Sequence, residues 1–288
     1  MTENATLPVG LLVDAARNLA NAGRWERATT LLDAAFASLP QGAAGRGAAA
    51  RVALATAEIA VDSGWFTGVG DAAARLSKVD EFGLDPAGRW DLDFAWLRYE
   101  YRESFGRPDR NVRRRAQLLA ETAPDPLRLG WAHMYLGLVA DNLFDEREAA
   151  PAHYEIALHN SAGDDLLRRE AQRHLGDHDH DRGDHDAALS RWRDATEAGA
   201  RAGAVPGTLS QQMLLAVLAR DAGDEAGATA LAGEVARWAT AIGAARTAAQ
   251  ATAFLDGVDP TQPPPAPGTA AETRFPMISD TSDTDRYR

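Results

Sequence analysis

The chain has 288 residues, of which 45% are hydrophobic, so it can bury a core and is not disordered throughout. Its 30 basic and 42 acidic residues give a net charge of -12, which disfavours nucleic acid and anionic membranes and favours a cationic partner. The absence of cysteine excludes disulfides and thiolate chemistry. With no apolar run long enough for a membrane span and no signal-peptide pattern, we expect a cytoplasmic protein. The Ala- and Arg-rich, Lys-poor composition suggests a bacterial source.

Turn residues divide the sequence into similar units, and alanine, the strongest helix former, dominates their apolar positions. The turns are predicted, in chain order, at Gly23, Gly64, Gly106, near Asp145, at Gly183 and at Gly223. They lie about 40 residues apart, and helical patterns flank each of them. This periodicity predicts about six antiparallel helix pairs stacked into a continuous core.

The clearest unit runs over residues 175–196, LGDHDHDRGDHDAALSRWRDAT. A Leu-Gly pair opens it, Gly183 forms the turn, and Ala188, Trp192 and Ala195 follow at fixed spacing. This pattern resembles the tetratricopeptide repeat (TPR), although the period here exceeds the roughly 34 residues of that repeat. The resemblance implies an all-α fold, a right-handed superhelical α-solenoid of TPR-like pairs.

Residues 1–257 are assigned to this solenoid, with a final capping helix over residues 242–255. Residues 258–288 are rich in proline, small polar residues and charges, so a disordered tail is predicted there. A docking peptide around Arg274, Phe275 and Met277 is a less favoured alternative.

The TPR resemblance also implies a ligand-binding groove, lined by the first helix of each pair. Counting back from each turn gives these groove residues: Asp93, Trp96, Glu100 and Glu103 in the third pair, Trp131 and Asp141 in the fourth, and Arg173, Asp177, His180 and Asp181 in the fifth. The neighbouring residues Trp90, Phe94, Leu97 and Tyr101 form a helical stripe that is predicted to face the core. Carboxylates interleaved with tryptophans favour a cation, so we expect a basic peptide, a partner protein or a cationic small molecule.

Residues 174–186 contain four histidines and five aspartates. The repeat phase places His178 and Asp179 at positions that are normally buried and apolar, which costs stability unless they are hydrogen-bonded or liganded. Three interpretations stay open. His174, His178 and Asp181 could bind a divalent metal. His178 or His180 could act with Asp177 or Asp181 in acid–base catalysis. Alternatively, the segment is a polar helix held by mutual hydrogen bonds.

The sequence favours a non-catalytic binding or scaffold module. It has no nucleophile elbow, no Gly-rich phosphate loop and no HExxH motif, so no cofactor is expected. The alternative is a small-molecule enzyme with its pocket in pairs three to five, using a metal or a His/Asp pair. Self-association into a homo-oligomer is left open.

Overall fold

The structure is a computed structural model that describes residues 8–40, 42, 45–105 and 107–258. Those residues form thirteen α-helices and contain no strand. The helices are α1 Val9–Asn21, α2 Trp25–Ala37, α3 Arg46–Thr67, α4 Ala72–Val79, α5 Pro86–Glu103, α6 Arg110–Glu121, α7 Pro126–Phe144, α8 Ala150–His159, α9 Asp165–Asp181, α10 His185–Arg201, α11 Val205–Asp221, α12 Glu225–Ala241 and α13 Ala245–Leu255.

The helices form six successive antiparallel pairs, from α1 and α2 to α11 and α12, and α13 closes the last pair. The predicted all-α solenoid with a terminal capping helix is therefore confirmed. No helix among the described residues is long and apolar enough to cross a membrane. The predicted tail from residue 259 onward lies outside the described residues.

Most of the predicted turns are correct. Gly183 and Gly223 have φ angles of 79° and 82°, a left-handed conformation that glycine adopts without strain. Asp145 takes the same conformation at φ 56°. The prediction for Gly64 is wrong, because that residue is buried inside α3 and the helix ends at Gly68, with φ 80°. Gly106 lies outside the described residues.

Each of two helix pairs packs a glycine of its first helix against a large aromatic ring of its second. Gly137 of α7 lies against Tyr154 of α8, and Gly176 of α9 lies against Trp192 of α10, where a Cβ atom would overlap the ring. Both rings are fully buried, and Trp192 Nε1 donates a hydrogen bond to the Arg173 carbonyl at 3.0 Å. The Leu-Gly pairs in the sequence therefore mark close helix–helix contact.

The two ends of the helix array meet. The Asn21 side chain donates a hydrogen bond to the Ala202 carbonyl at 3.3 Å, and the Arg246 guanidinium lies 5.1 Å from the centre of the Trp65 ring. One apolar cluster joins buried residues of α1 to α3 with buried residues of α11 to α13. The odd-numbered helices from α1 to α11 thus surround a central space, and we call their side toward it the inner face.

Replacing Gly176 by alanine should destabilise the protein by about 1–3 kcal/mol, since the added methyl would force Trp192 out of its position. Gly233→Ala in α12 is the matched control. No atom lies within 4 Å of its Cβ position, so alanine should stabilise that helix by about 0.5–1 kcal/mol. Urea unfolding measures both changes. Equal effects of the two substitutions would contradict the close contact.

Candidate functional site

Charged and polar side chains from four successive inner helices meet at the central space. Asp62 of α3 forms an ion pair with Arg98 of α5, and Arg98 also interacts with the Tyr135 hydroxyl of α7. Burial raises the pKa of Asp62, Arg98 opposes this rise, and the negative charge of Glu170 on α9 adds to it. Because α3 and α9 are not neighbours in the array, this influence indicates that the two carboxylates lie near each other on the inner side of the helices.

In both central ion pairs the carboxylate is the more exposed partner. The side chain of Asp62 is 42% exposed, against 20% for Arg98. Glu170 pairs with Arg169 of the same helix, and their side chains are 28% and 7% exposed. The carboxylates are therefore the more accessible members of both pairs, and the arginines are the more buried members. The inner face is not uniformly acidic, because these arginines and the Arg17 partner of Glu58 neutralise much of the charge.

A second polar group lies between α7, α8 and α9. The Tyr154 hydroxyl donates a hydrogen bond to Asp141 Oδ2 at 2.7 Å, and His178 Nε2 lies 3.0 Å from the same oxygen. His178 and Asp179 are both buried, as predicted from the repeat phase. Asp179 contacts the guanidinium groups of Arg182 and Arg191, so polar partners satisfy these buried side chains.

The middle of α9 carries two groups with shifted pKa values. Burial, followed by the charge of Arg173, lowers the pKa of His174 well below its usual value, so the imidazole is neutral at pH 7. Burial raises the pKa of Asp177 to about 6, with Arg173 opposing and Asp181 adding to the rise. Asp177 Oδ1 has no hydrogen-bond partner among the described residues. This oxygen is buried, so its hydrogen-bonding capacity is unmet inside the folded protein.

Of the predicted groove residues on α9, Arg173 and Asp177 follow Glu170 at spacings of three and four residues, so all three lie along one side of that helix. His180 instead lies between α9 and α11, with Nε2 3.0 Å from Asp221 Oδ2, and stacks on Trp192. Asp181 forms an ion pair with Arg147 of the α7–α8 connection.

The predicted groove residues on α7 are partly engaged with neighbouring helices. Trp131 is half-buried and donates Nε1 to Asp164 Oδ2 at 3.0 Å. Asp141 points to Tyr154 and His178, between the helices.

The predicted groove residues on α5 lie on the side of that helix that is turned away from the inner face. Asp93 and Glu100 both pair with Arg115 of α6. Trp96 packs against the apolar cluster of α3 and α4, and Glu103 pairs with Arg102. The residues of α5 that reach neighbouring inner helices are Asp91, which pairs with Arg128 of α7, and Arg98, which pairs with Asp62 of α3. They lie two positions before Asp93 and Glu100, which is about 200° around a helix.

Arg98 and Tyr135 were not predicted as site residues. Because the groove positions on α5 were counted two residues too far along the chain, Arg98 was not among them. Tyr135 was not selected by the counting used for the fourth pair, and no local signal marks either residue.

The structure does not assemble the metal site that was one interpretation of the His/Asp segment. Its three proposed ligands are separated, because His178 faces Asp141 while Asp181 faces Arg147. His174 stacks on the Tyr154 ring and lies 3.5 Å from Asp177. Within the described part of the chain, no group of three His, Asp or Glu side chains is arranged to hold a metal ion.

Asp177 should make the folded state less stable as its carboxylate ionises. Its pKa is about 6 in the folded protein, above the unfolded value of 3.8, so the folded state binds more protons between these pH values. The stability of the wild type relative to Asp177→Asn should therefore fall as pH rises from about 4 to 6, on the order of 2 kcal/mol in total. Denaturant unfolding at several pH values measures this difference.

Asp186→Asn, on the exposed surface of α10, controls for the loss of one charge. A difference between wild type and Asp177→Asn that does not change with pH would contradict a raised pKa.

Comparison with known proteins identifies a similar fold but no family. The sequence matches no protein-family model and no curated protein. The structure is similar to the crystal structure of Rap protein complexed with competence and sporulation factor. The TM-score is 0.58, the match covers 86% of this chain and 69% of that chain, and the sequences are 13% identical. At this identity the likeness shows the fold, an all-α helical repeat.

Proposed function

We propose that the chain is a TPR-type binding module whose inner face holds a peptide or a segment of a partner protein. The preferred ligand carries a cationic group that contacts the carboxylates of Asp62, Glu170 and Asp177. The cytoplasmic location and bacterial source stay predictions from composition.

The observation that carries this proposal is the arrangement of the central ion pairs. The side chains of Asp62 and Glu170 are 42% and 28% exposed, whereas those of their partners Arg98 and Arg169 are 20% and 7% exposed. A cation can therefore approach the carboxylates without displacing the arginines. Because protein surrounds these groups, their attraction is screened less than that of surface charges.

The fold is compatible with this role. The similar solved structure is a complex of Rap protein with competence and sporulation factor, so a helical array of this kind can hold a ligand. The low identity between the two chains transfers no binding residue from one to the other.

The same geometry favours binding over catalysis. His178 and His180 each lie 3.0 Å from a carboxylate oxygen, of Asp141 and Asp221 respectively. These pairs account for the His/Asp segment as a set of contacts between helices α7, α9 and α11. An acid–base role for His178, His180 or Asp181 would require these side chains to leave their partners Asp141, Asp221 and Arg147.

The double substitution Asp62→Asn and Glu170→Gln should weaken binding of an acetylated hexapeptide with two lysines by about tenfold, which is about 1.4 kcal/mol. It removes two inner-face carboxylates and leaves the positive charges of Arg98 and Arg169 without their partners. The affinity should also become less sensitive to salt. Isothermal titration calorimetry at two salt concentrations measures both effects.

The matched control is Asp93→Asn with Glu100→Gln, which removes two carboxylates from the outer side of α5. It should leave the affinity unchanged. If both double variants weaken binding equally, or if a peptide with two glutamates binds as well as the lysine peptide, the inner face is not the cationic site.

A further inference from the structure

Two histidines that take no part in the proposed function are in direct contact between the two helices of the fourth pair. The Nδ1 atoms of His133 on α7 and His153 on α8 lie 3.0 Å apart, and the ring centres are 5.2 Å apart. Both residues are half-buried, so water and an ion can reach them. The close contact between Gly137 and Tyr154 lies within one turn of the histidines on each helix, so two tightly packed helices hold the rings.

The two imidazoles are available as metal ligands at neutral pH. Burial, followed by the charge of His153, lowers the pKa of His133, and burial lowers the pKa of His153. Both rings are therefore neutral at pH 7, the form in which a ring nitrogen binds a metal. As they stand, one ring donates its Nδ1–H to the Nδ1 of the other. With both protons on Nε2 instead, the two Nδ1 lone pairs are free for an ion.

The separation of the two nitrogens selects the geometry of the ion. A metal at about 2.0–2.1 Å from each of two nitrogens that lie 3.0 Å apart binds them at an angle of about 95°. A tetrahedral ion would need the nitrogens about 3.4 Å apart. An angle near 90° is that of neighbouring ligands in a tetragonal complex, the geometry of Cu²⁺ and Ni²⁺. Each ring reaches the ion by turning about χ2, a torsion with a broad minimum in histidine.

The next helix pair shows that packing does not require imidazoles at these positions. Counted from the contacting glycine and aromatic ring of each pair, His133 and His153 correspond to Gln172 of α9 and Arg191 of α10. There, Arg191 Nη1 donates a hydrogen bond to Gln172 Oε1 at 3.1 Å. A polar contact without metal-ligand geometry thus joins the fifth pair at the place where the fourth pair has two imidazoles.

We propose that His133 and His153 bind one divalent ion of tetragonal preference, with Cu²⁺ bound more tightly than Ni²⁺. The two Nδ1 atoms occupy neighbouring coordination positions, and water fills the others. The net charge of -12 attracts a cation to the chain. The bound ion links α7 to α8, and the proposal does not depend on the function of the inner face.

Calorimetric titration of the full chain with Cu²⁺, followed by electron paramagnetic resonance of the complex, tests the site. We expect one such ion per chain, with hyperfine coupling to two imidazole nitrogens. Ni²⁺ should bind more tightly than Zn²⁺, because the nitrogens are too close together for a tetrahedral ion. Coupling to fewer than two nitrogens, or tighter binding of Zn²⁺ than of Ni²⁺, would overturn the proposal.

The double variant His133→Gln with His153→Arg gives the fourth pair the polar contact of the fifth. It should keep the wild-type melting temperature, lose the coupling to two nitrogens and bind Cu²⁺ at least about tenfold more weakly. The matched control, His159→Gln with His185→Arg, removes two exposed histidines and should leave affinity and spectrum unchanged. Unchanged affinity in the first variant, or an equal loss in the control, would place the ion elsewhere and contradict the proposal.

Discussion

The contact between the two ends of the helix array is the constraint on which the rest of the structure depends. Gly23, in the first turn of the array, lies against Ile242 and Pro206 of the last pair, and a Cβ there would stand 3.2 Å from Ile242 Cδ1. The glycine also has a φ of 75°, so both its conformation and its lack of a side chain suit this position. An array fixed at both ends cannot change its curvature freely, so the inner face keeps one shape. This explains how Asp62 and Glu170, on helices that are not neighbours, influence each other.

The chemistry of the inner face differs from that of the interfaces that hold the helices together. Contacts such as Gly137 with Tyr154 and Gly176 with Trp192 are dense and apolar, and they supply stability. The ion pairs around the central space contribute little, because desolvation offsets the attraction between buried charges. Under the proposed function, Asp62, Arg98 and Glu170 serve ligand recognition at this place.

The sequence predicted what depends on local spacing. The unit with Leu175, Gly183 and Trp192 specifies a helix, a left-handed turn and a second helix over 22 residues, and all three were found. The predicted groove positions were wrong in units whose turn residue could not be identified from the sequence. Gly64 has the surroundings of a turn residue, yet it lies inside α3, against the Arg102 side chain.

On α5 the core stripe of Trp90, Leu97 and Tyr101 was predicted correctly, whereas the groove stripe was not. Both stripes have helical spacing, and only contacts with other helices decide which one faces the central space. The closure of the array was not predicted at all, since it joins residues such as Asn21 and Ala202, 181 positions apart.

Closure can be measured directly in solution by electron–electron resonance between two spin labels. The chain has no cysteine, so Arg24→Cys and Ala241→Cys give two unique labelling positions on opposite sides of the contact between its ends. A closed array predicts a single narrow distribution at short distance. An open solenoid would separate the labels by several helix diameters of roughly 10 Å each, and such a long or broad distribution would contradict the account.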